Sequence, residues 1–141
     1  MTKSNLLQIY QGSPQVEKLV TSIAQDEKTL ALNGLVGSSI SYVIGAAFEK
    51  AHSPFLLILN DKEEAAYILN DLEQILNSDD ILFYPGSYRR PYQIEETDNA
   101  NVLLRAEVLN RINSRKKPAI IVSYPDALFE KVVTRKELNK N

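Results

Sequence analysis

Apolar positions along this chain alternate between two periods, and that alternation predicts a layered α/β domain. Val16, Leu19, Val20, Ile23 and Ala24 recur at i, i+3, i+4, i+7 and i+8, the spacing of one helical face. Ser13 and Pro14 stand just before them, a serine to cap the helix and a proline where a missing N–H costs nothing. After the polar turn Gln25-Asp-Glu-Lys28, the run Thr29 to Asn33 predicts a first, short strand. Ile40, Val43, Ile44, Ala47, Phe48 and Ala51 line one face of the next helix, which His52, Ser53 and Pro54 end. Phe55-Leu-Leu-Ile-Leu59 is a continuous apolar run, as expected of a central strand covered on both faces.

The second half repeats the scheme. Asn60-Asp61 caps a helix whose face is Ala65, Ile68, Leu69, Leu72, Ile75 and Leu76, with Glu63 and Glu64 at its positive dipole end. Ile81 to Tyr84 reads as a third strand, stopped by Pro85-Gly86. Thr97 or Asp98 caps a helix with the apolar set Val102, Leu103, Ala106, Leu109 and Ile112. Its basic tail, Arg111, Arg115, Lys116 and Lys117, suits the negative end of the helix. Pro118 to Val122 is a fourth strand, and Ser123-x-x-Asp126 with Pro125 opens a short helix through Lys131. The order α-β-α-β-α-β-α-β-α predicts a three-layer, doubly wound α/β domain with a parallel sheet over 13–133. Residues 1–12 read as an N-terminal extension. Residues 134–141 read as the truncated start of a further element, because Thr134-Arg-Lys-Glu137 has capping-box spacing.

Composition narrows the chemistry. A length of 141 residues with 44% hydrophobic content suits one domain around one core. The formal charge of -2 gives no broad attraction for nucleic acid or anionic membranes. With no cysteine and one histidine, His52, a disulfide framework, thiolate chemistry and a histidine-pair metal site have no members. No apolar run is long enough to span a bilayer and no signal peptide is evident, so a cytoplasmic protein without membrane partners is expected.

The stretch Gly34 to Ser41 is laid out like a phosphate-binding loop. Setting G-x-x-x-x-G-K-[ST] on it puts Gly34 first, Ser39 at the second glycine, Ile40 at the lysine and Ser41 last. Ile40 replaces the charge that reaches the β- and γ-phosphates, and it also starts the helix's apolar stripe. The loop, comprising Gly34, Gly37, Ser38, Ser39, Ile40 and Ser41, therefore reads as vestigial. Its backbone N–H groups and serine hydroxyls would hold an anion only weakly. Asp61, after an apolar strand, could hold magnesium, but capping the following helix explains it more cheaply.

A second candidate is Tyr88-Arg89-Arg90-Pro91-Tyr92, with two guanidinium groups for phosphates and Tyr88 and Tyr92 for stacking. Glu95, Glu96 and Asp98 follow and cancel its charge. A solvated or domain-packing loop competes with a nucleic-acid contact here, and DNA binding is expected to be weak or absent. No nucleophile–base pair, shared carboxylate pocket or metal cluster can be assembled, so no catalytic or metal-binding residue is assigned. An atypical P-loop NTPase and a nucleic-acid-binding domain stay open beside a non-catalytic scaffold.

Leu32-Asn-Gly-Leu-Val-Gly-Ser-Ser-Ile-Ser-Tyr-Val, Leu82-Phe-Tyr-Pro-Gly-Ser-Tyr-Arg-Arg-Pro-Tyr, Asn101-Val-Leu-Leu-Arg-Ala-Glu-Val-Leu-Asn-Arg and Ala119-Ile-Ile-Val-Ser-Tyr-Pro-Asp-Ala-Leu follow one another in order. The first resembles the first strand and P-loop of the B component of excinuclease ABC, a helicase-like nucleotide-excision-repair protein, and the later runs follow the order of that component. Ile40 at the lysine position, and a segment from Pro85 to Thr97 too short for that component's tyrosine-rich hairpin, depart from it. Both departures resemble the N-terminal module of the transcription-repair coupling factor family (Mfd). The resemblance covers about Ser13 to Leu138. It implies a degenerate P-loop, helicase-like fold without catalysis or cofactor in this stretch, ATP and magnesium belonging to distant motor domains of a DNA translocase. The implied partners of the whole protein are the excinuclease's A component, RNA polymerase and the other domains of the same chain, in transcription-coupled nucleotide excision repair.

Overall fold

The structure is a computed structural model, and residues 3–25, 31–35, 37–87, 99–114 and 117–130 are described. Along the chain run α1 (Lys3–Gln11), α2 (Pro14–Ala24), α3 (Ser39–Ala51), β1 (Phe55–Ile58), α4 (Lys62–Ile75) and β2 (Ile81–Phe83). They are followed by α5 (Asn99–Ser114), β3 (Ile120–Ser123) and α6 (Pro125–Leu128). A single 3-10 turn, Ser78–Asp80, leads into β2.

Among the described residues the sheet has three strands in the order β1-β3-β2, all parallel. Parallel neighbours need crossover connections, and α4 and α5 supply two of them. The expected strand over Thr29–Asn33 is not formed where it is described: 31–33 are irregular and Leu32 is exposed. Residues 29 and 30 lie outside the described residues. Phe55-Leu-Leu-Ile-Leu59 is a strand, but its place differs from expectation. β3 is central, and β1 has β3 as its one neighbour among the described strands.

Strand register sorts the sheet's two faces. Phe55 pairs with Ile120 and Leu57 with Val122, while Leu56 pairs with Ile121 and Ile58 with Ser123. On the first face Ile120 and Val122 are fully buried, and Phe48 of α3 meets Phe55 edge-on at 5.5 Å between ring centres. Each such buried aliphatic side chain contributes about 1.5–3 kcal/mol. On the second face Leu56 and Ile58 stay 54% and 57% exposed. A continuous apolar run in this chain thus makes a half-covered strand.

Two apolar clusters form among the described residues. The larger joins Phe48, Ile68, Leu72, Ile81, Val108, Ile120 and Val122, with Ile40 and Ile44 packed against it. The smaller joins Leu7, Val16, Val43 and Ala46. It makes an ordered helix of Lys3–Gln11, a stretch whose sequence reads only as an extension. Gly45 lets this helix approach: a Cβ there would sit 3.4 Å from Ile75 and 3.6 Å from Leu7. No helix among the described residues is long and apolar enough to cross a membrane.

Helix ends match the sequence in some places and depart from it in others. The Asp61 side chain accepts from the Glu64 N–H at 2.8 Å, so it caps α4 as expected. His52 closes α3 with a left-handed backbone, φ 51°. Ser13 sits at the start of α2, yet its hydroxyl pairs with Gln15 and caps nothing. Tyr124 stands at the start of α6, and the Ser123 hydroxyl donates to the Tyr84 carbonyl at 2.8 Å.

Candidate functional site

The glycine turn keeps its backbone but lacks the surroundings of a phosphate loop. Gly34 and Gly37 hold positive φ, 81° and 58°, conformations that cost other residues about 1–2 kcal/mol. The strand that should feed the turn is missing over 31–33. Ser38 precedes α3 and Ser39 begins it. The Ile40 N–H is already directed at the Gly37 carbonyl, 3.4 Å away. Ile40 is half-buried against the larger core cluster. Ser41 is fully buried and its hydroxyl donates to the Asp71 carboxylate of α4 at 3.1 Å. Of the groups expected to hold an anion, this hydroxyl is therefore spent on joining two helices.

The aromatic and basic cluster Tyr88, Arg89, Arg90 and Tyr92 lies outside the described residues, as do Thr97 and Asp98. The corner from which that segment departs is described, and it is the most built polar feature of the protein. It sits at the carboxyl ends of β2 and β3, the edge where open parallel sheets bind ligands.

Its centre is Arg105 of α5, only 7% exposed. The Nη1 of Arg105 donates to the Pro85 carbonyl at 2.8 Å and to the Ala127 carbonyl at 3.0 Å. Its guanidinium carbon lies 4.1 Å from the centre of the Tyr84 ring, close enough for cation–π attraction. The Glu130 carboxylate is 3.5 Å from Nη1 and accepts from the Ser87 N–H at 2.9 and 3.1 Å and from the Ser87 hydroxyl at 2.5 Å. The Tyr124 hydroxyl accepts from the Gly86 N–H at 2.8 Å, and Asn101 donates to the Gly86 carbonyl at 3.0 Å. Burial raises the pKa of Tyr84 above the usual phenol value, against the pull of Arg105. Burial also raises Tyr124, opposed by its bond from Gly86.

This corner corrects the expected orientation of α5. Leu103 is 70% exposed, and Val102, Ala106 and Ile112 also face outward. The buried side is Arg105 and Val108, with Leu104 and Leu109 half-buried. Apolar residues surround this helix, so its period does not fix the register, and the buried arginine decides it. No local spacing signalled the corner, because its members come from positions 84–87, 101–105 and 124–130.

At the opposite end of the strands a cavity of about 440 Å³ is lined by His52, Pro54, Arg111, Ile112, Lys117 and Ile121. Of the basic tail, Arg111 and Lys117 are committed there, and Arg115 and Lys116 lie outside the described residues. Arg111 donates to the carbonyls of Asp79, Lys117 and Pro118 and to the Asp80 carboxylate, which also pairs with Lys117 at 3.2 Å. Among the described residues no group of three or more His, Cys, Asp or Glu could hold a metal ion.

Against known proteins, the chain is similar to a transcription-repair-coupling factor of Bacillus subtilis (strain 168), 22% identical over 117 residues. The match takes in 83% of this chain and 10% of that protein, so the chain spans about a tenth of the length of the curated relative it matches. No family model matches the chain, and no solved structure matches it.

Proposed function

We propose that this chain serves DNA repair, as a non-catalytic scaffold of the kind found in the N-terminal module of a transcription-repair coupling factor. The observation that carries the reading is the similarity over 117 residues to such a factor. The glycine turn supports the non-catalytic part: an isoleucine packed on the core stands at the lysine position, and the Ser41 hydroxyl is committed to Asp71. A nucleotide site needs the lysine, a magnesium-holding acid and usually a second lobe. In this reading the release of stalled RNA polymerase and the recruitment of the excinuclease's A component belong to the whole protein. This segment supplies the frame on which further domains sit.

Two measurements test the proposal. Calorimetry with Mg-ATP and fluorescence anisotropy with single-stranded and duplex DNA at low salt should show no appreciable binding by the chain. Micromolar ATP affinity, or tight DNA binding lost in Arg89→Ala/Arg90→Ala, sinks the non-catalytic scaffold. Deleting the coding sequence should slow repair of the transcribed strand after ultraviolet damage. Unchanged repair of that strand overturns the assignment to DNA repair.

A further inference from the structure

The Glu130 carboxylate is held as proteins hold a foreign oxyanion. A main-chain N–H, a hydroxyl and a buried guanidinium converge on it from two other parts of the chain, Ser87 after β2 and Arg105 in α5. The bonds from Ser87 are charge-assisted, the stronger class of hydrogen bond, and Arg105 adds an ion pair at 3.5 Å. The backbone also comes unusually close, since a Cβ on Gly86 would lie 3.0 Å from Glu130 Oε1.

Arg105 and the residue before Ser87 are fixed independently of the carboxylate. Arg105 is anchored by two carbonyls and the Tyr84 ring. Gly86, next to Ser87, is anchored through both its N–H and its carbonyl, by Tyr124 and Asn101. Removing the carboxylate therefore leaves the N–H, the hydroxyl and the guanidinium facing one small space. A preorganised set of donors around a vacated anion position is a binding site, because the cost of ordering them has been met by the fold.

We infer that Ser87 and Arg105 form an oxyanion-binding site, for a carboxylate or a phosphate group, which Glu130 fills as an internal ligand. Glu130 lies shortly after α6 (Pro125–Leu128) and Ser87 shortly after β2 (Ile81–Phe83), so occupancy ties together the stretches that leave these two elements. An external oxyanion takes the site when Glu130 is withdrawn. The inference is independent of the repair assignment, because it rests on the geometry of this corner alone.

Chemical rescue tests it. Glu130→Ala and the parent chain are melted in chloride, acetate and inorganic phosphate at matched ionic strength. At about ten times the dissociation constant, phosphate or acetate should raise the midpoint of Glu130→Ala by roughly 5 °C over chloride. The parent should show no such difference, and Glu130→Ala/Arg105→Met should lose the rise. Rescue by acetate alone identifies a carboxylate site, and rescue by phosphate a site for phosphate groups. If Glu130→Ala is unfolded in chloride, recovery of the folded signal in acetate or phosphate is the expected result. A variant that melts alike in all three salts, stays unfolded in all three, or is rescued no more than the parent overturns the inference.

Discussion

The glycine turn and the Arg105 corner are opposites in what they display and what they contain. The turn has the spacing of a known motif, yet its Ser41 hydroxyl is turned inward to Asp71 and its lysine position packs on the core. The corner has no motif, and it holds a buried cation, a paired carboxylate and two tyrosines shifted by burial. Positive φ at Gly34 and Gly37 meets a need of the turn's backbone and leaves open what its side chains do. A buried charge needs continuing support from every group around it.

That contrast is broken most forcefully at Arg105. Arg105→Ala takes the cation from beside the Glu130 carboxylate and leaves the Pro85 and Ala127 carbonyls without their donor. It should cost about 3 kcal/mol or more in urea denaturation, the range for removing one member of a largely buried pair. A loss under 1 kcal/mol would place the corner in the class of solvent-screened surface pairs.

Ile40→Lys probes the other side of the comparison. The side chain is half-buried, so the variant should lose part of the roughly 1.5–3 kcal/mol of a buried isoleucine, less what the lysine stem recovers by snorkelling. The same variant should gain no ATP binding in calorimetry. A variant as stable as its parent would mean that the helix stripe does not need Ile40.

The gentlest probe is alkali. Tyr84 and Tyr124 have raised pKa values in the fold, burial being the first cause of each. Below the unfolded phenol pKa of about 10 both states are protonated and the two residues add no pH dependence. Above it the unfolded chain ionises first, so stability should fall as pH rises through and beyond about 10. Tyr84→Phe should flatten that fall in melts between about pH 9 and 11. A slope unchanged in Tyr84→Phe and Tyr124→Phe alike would assign the alkaline loss to other groups.

What could be read from sequence follows how local each interaction is. The α4 face and its Asp61 cap depend on residues three and four apart, and both are found. The α3 stripe and the helix end at His52 are equally local. Three of the four expected strands were legible, but the order of the sheet was not. Phe55-Leu-Leu-Ile-Leu59 has the same pattern whether one face or both are covered, and only the pairing reveals that β3 is the central one of the described strands. In α5, Val102, Leu103, Leu104, Ala106, Val108, Leu109 and Ile112 ring the helix. Arginine is normally an outward residue, so the period chose the wrong face. Recognising Arg105 as buried requires knowing that Pro85, Ala127 and Glu130 meet it, and nothing local brings those positions together.

The exposed face of β1 has a consequence for the protein in bulk solution. Phe55 to Leu59 is five apolar residues without a charge or a proline. Its strand has one described neighbour, and two of its side chains are more than half exposed. Apolar side chains exposed together on a charge-free strand are the kind of surface that favours intermolecular association. Concentrating the chain should therefore promote fibrous or amorphous association through this strand before other surfaces. A lysine at Leu56 or Ile58, on the open face, should raise the concentration at which that begins.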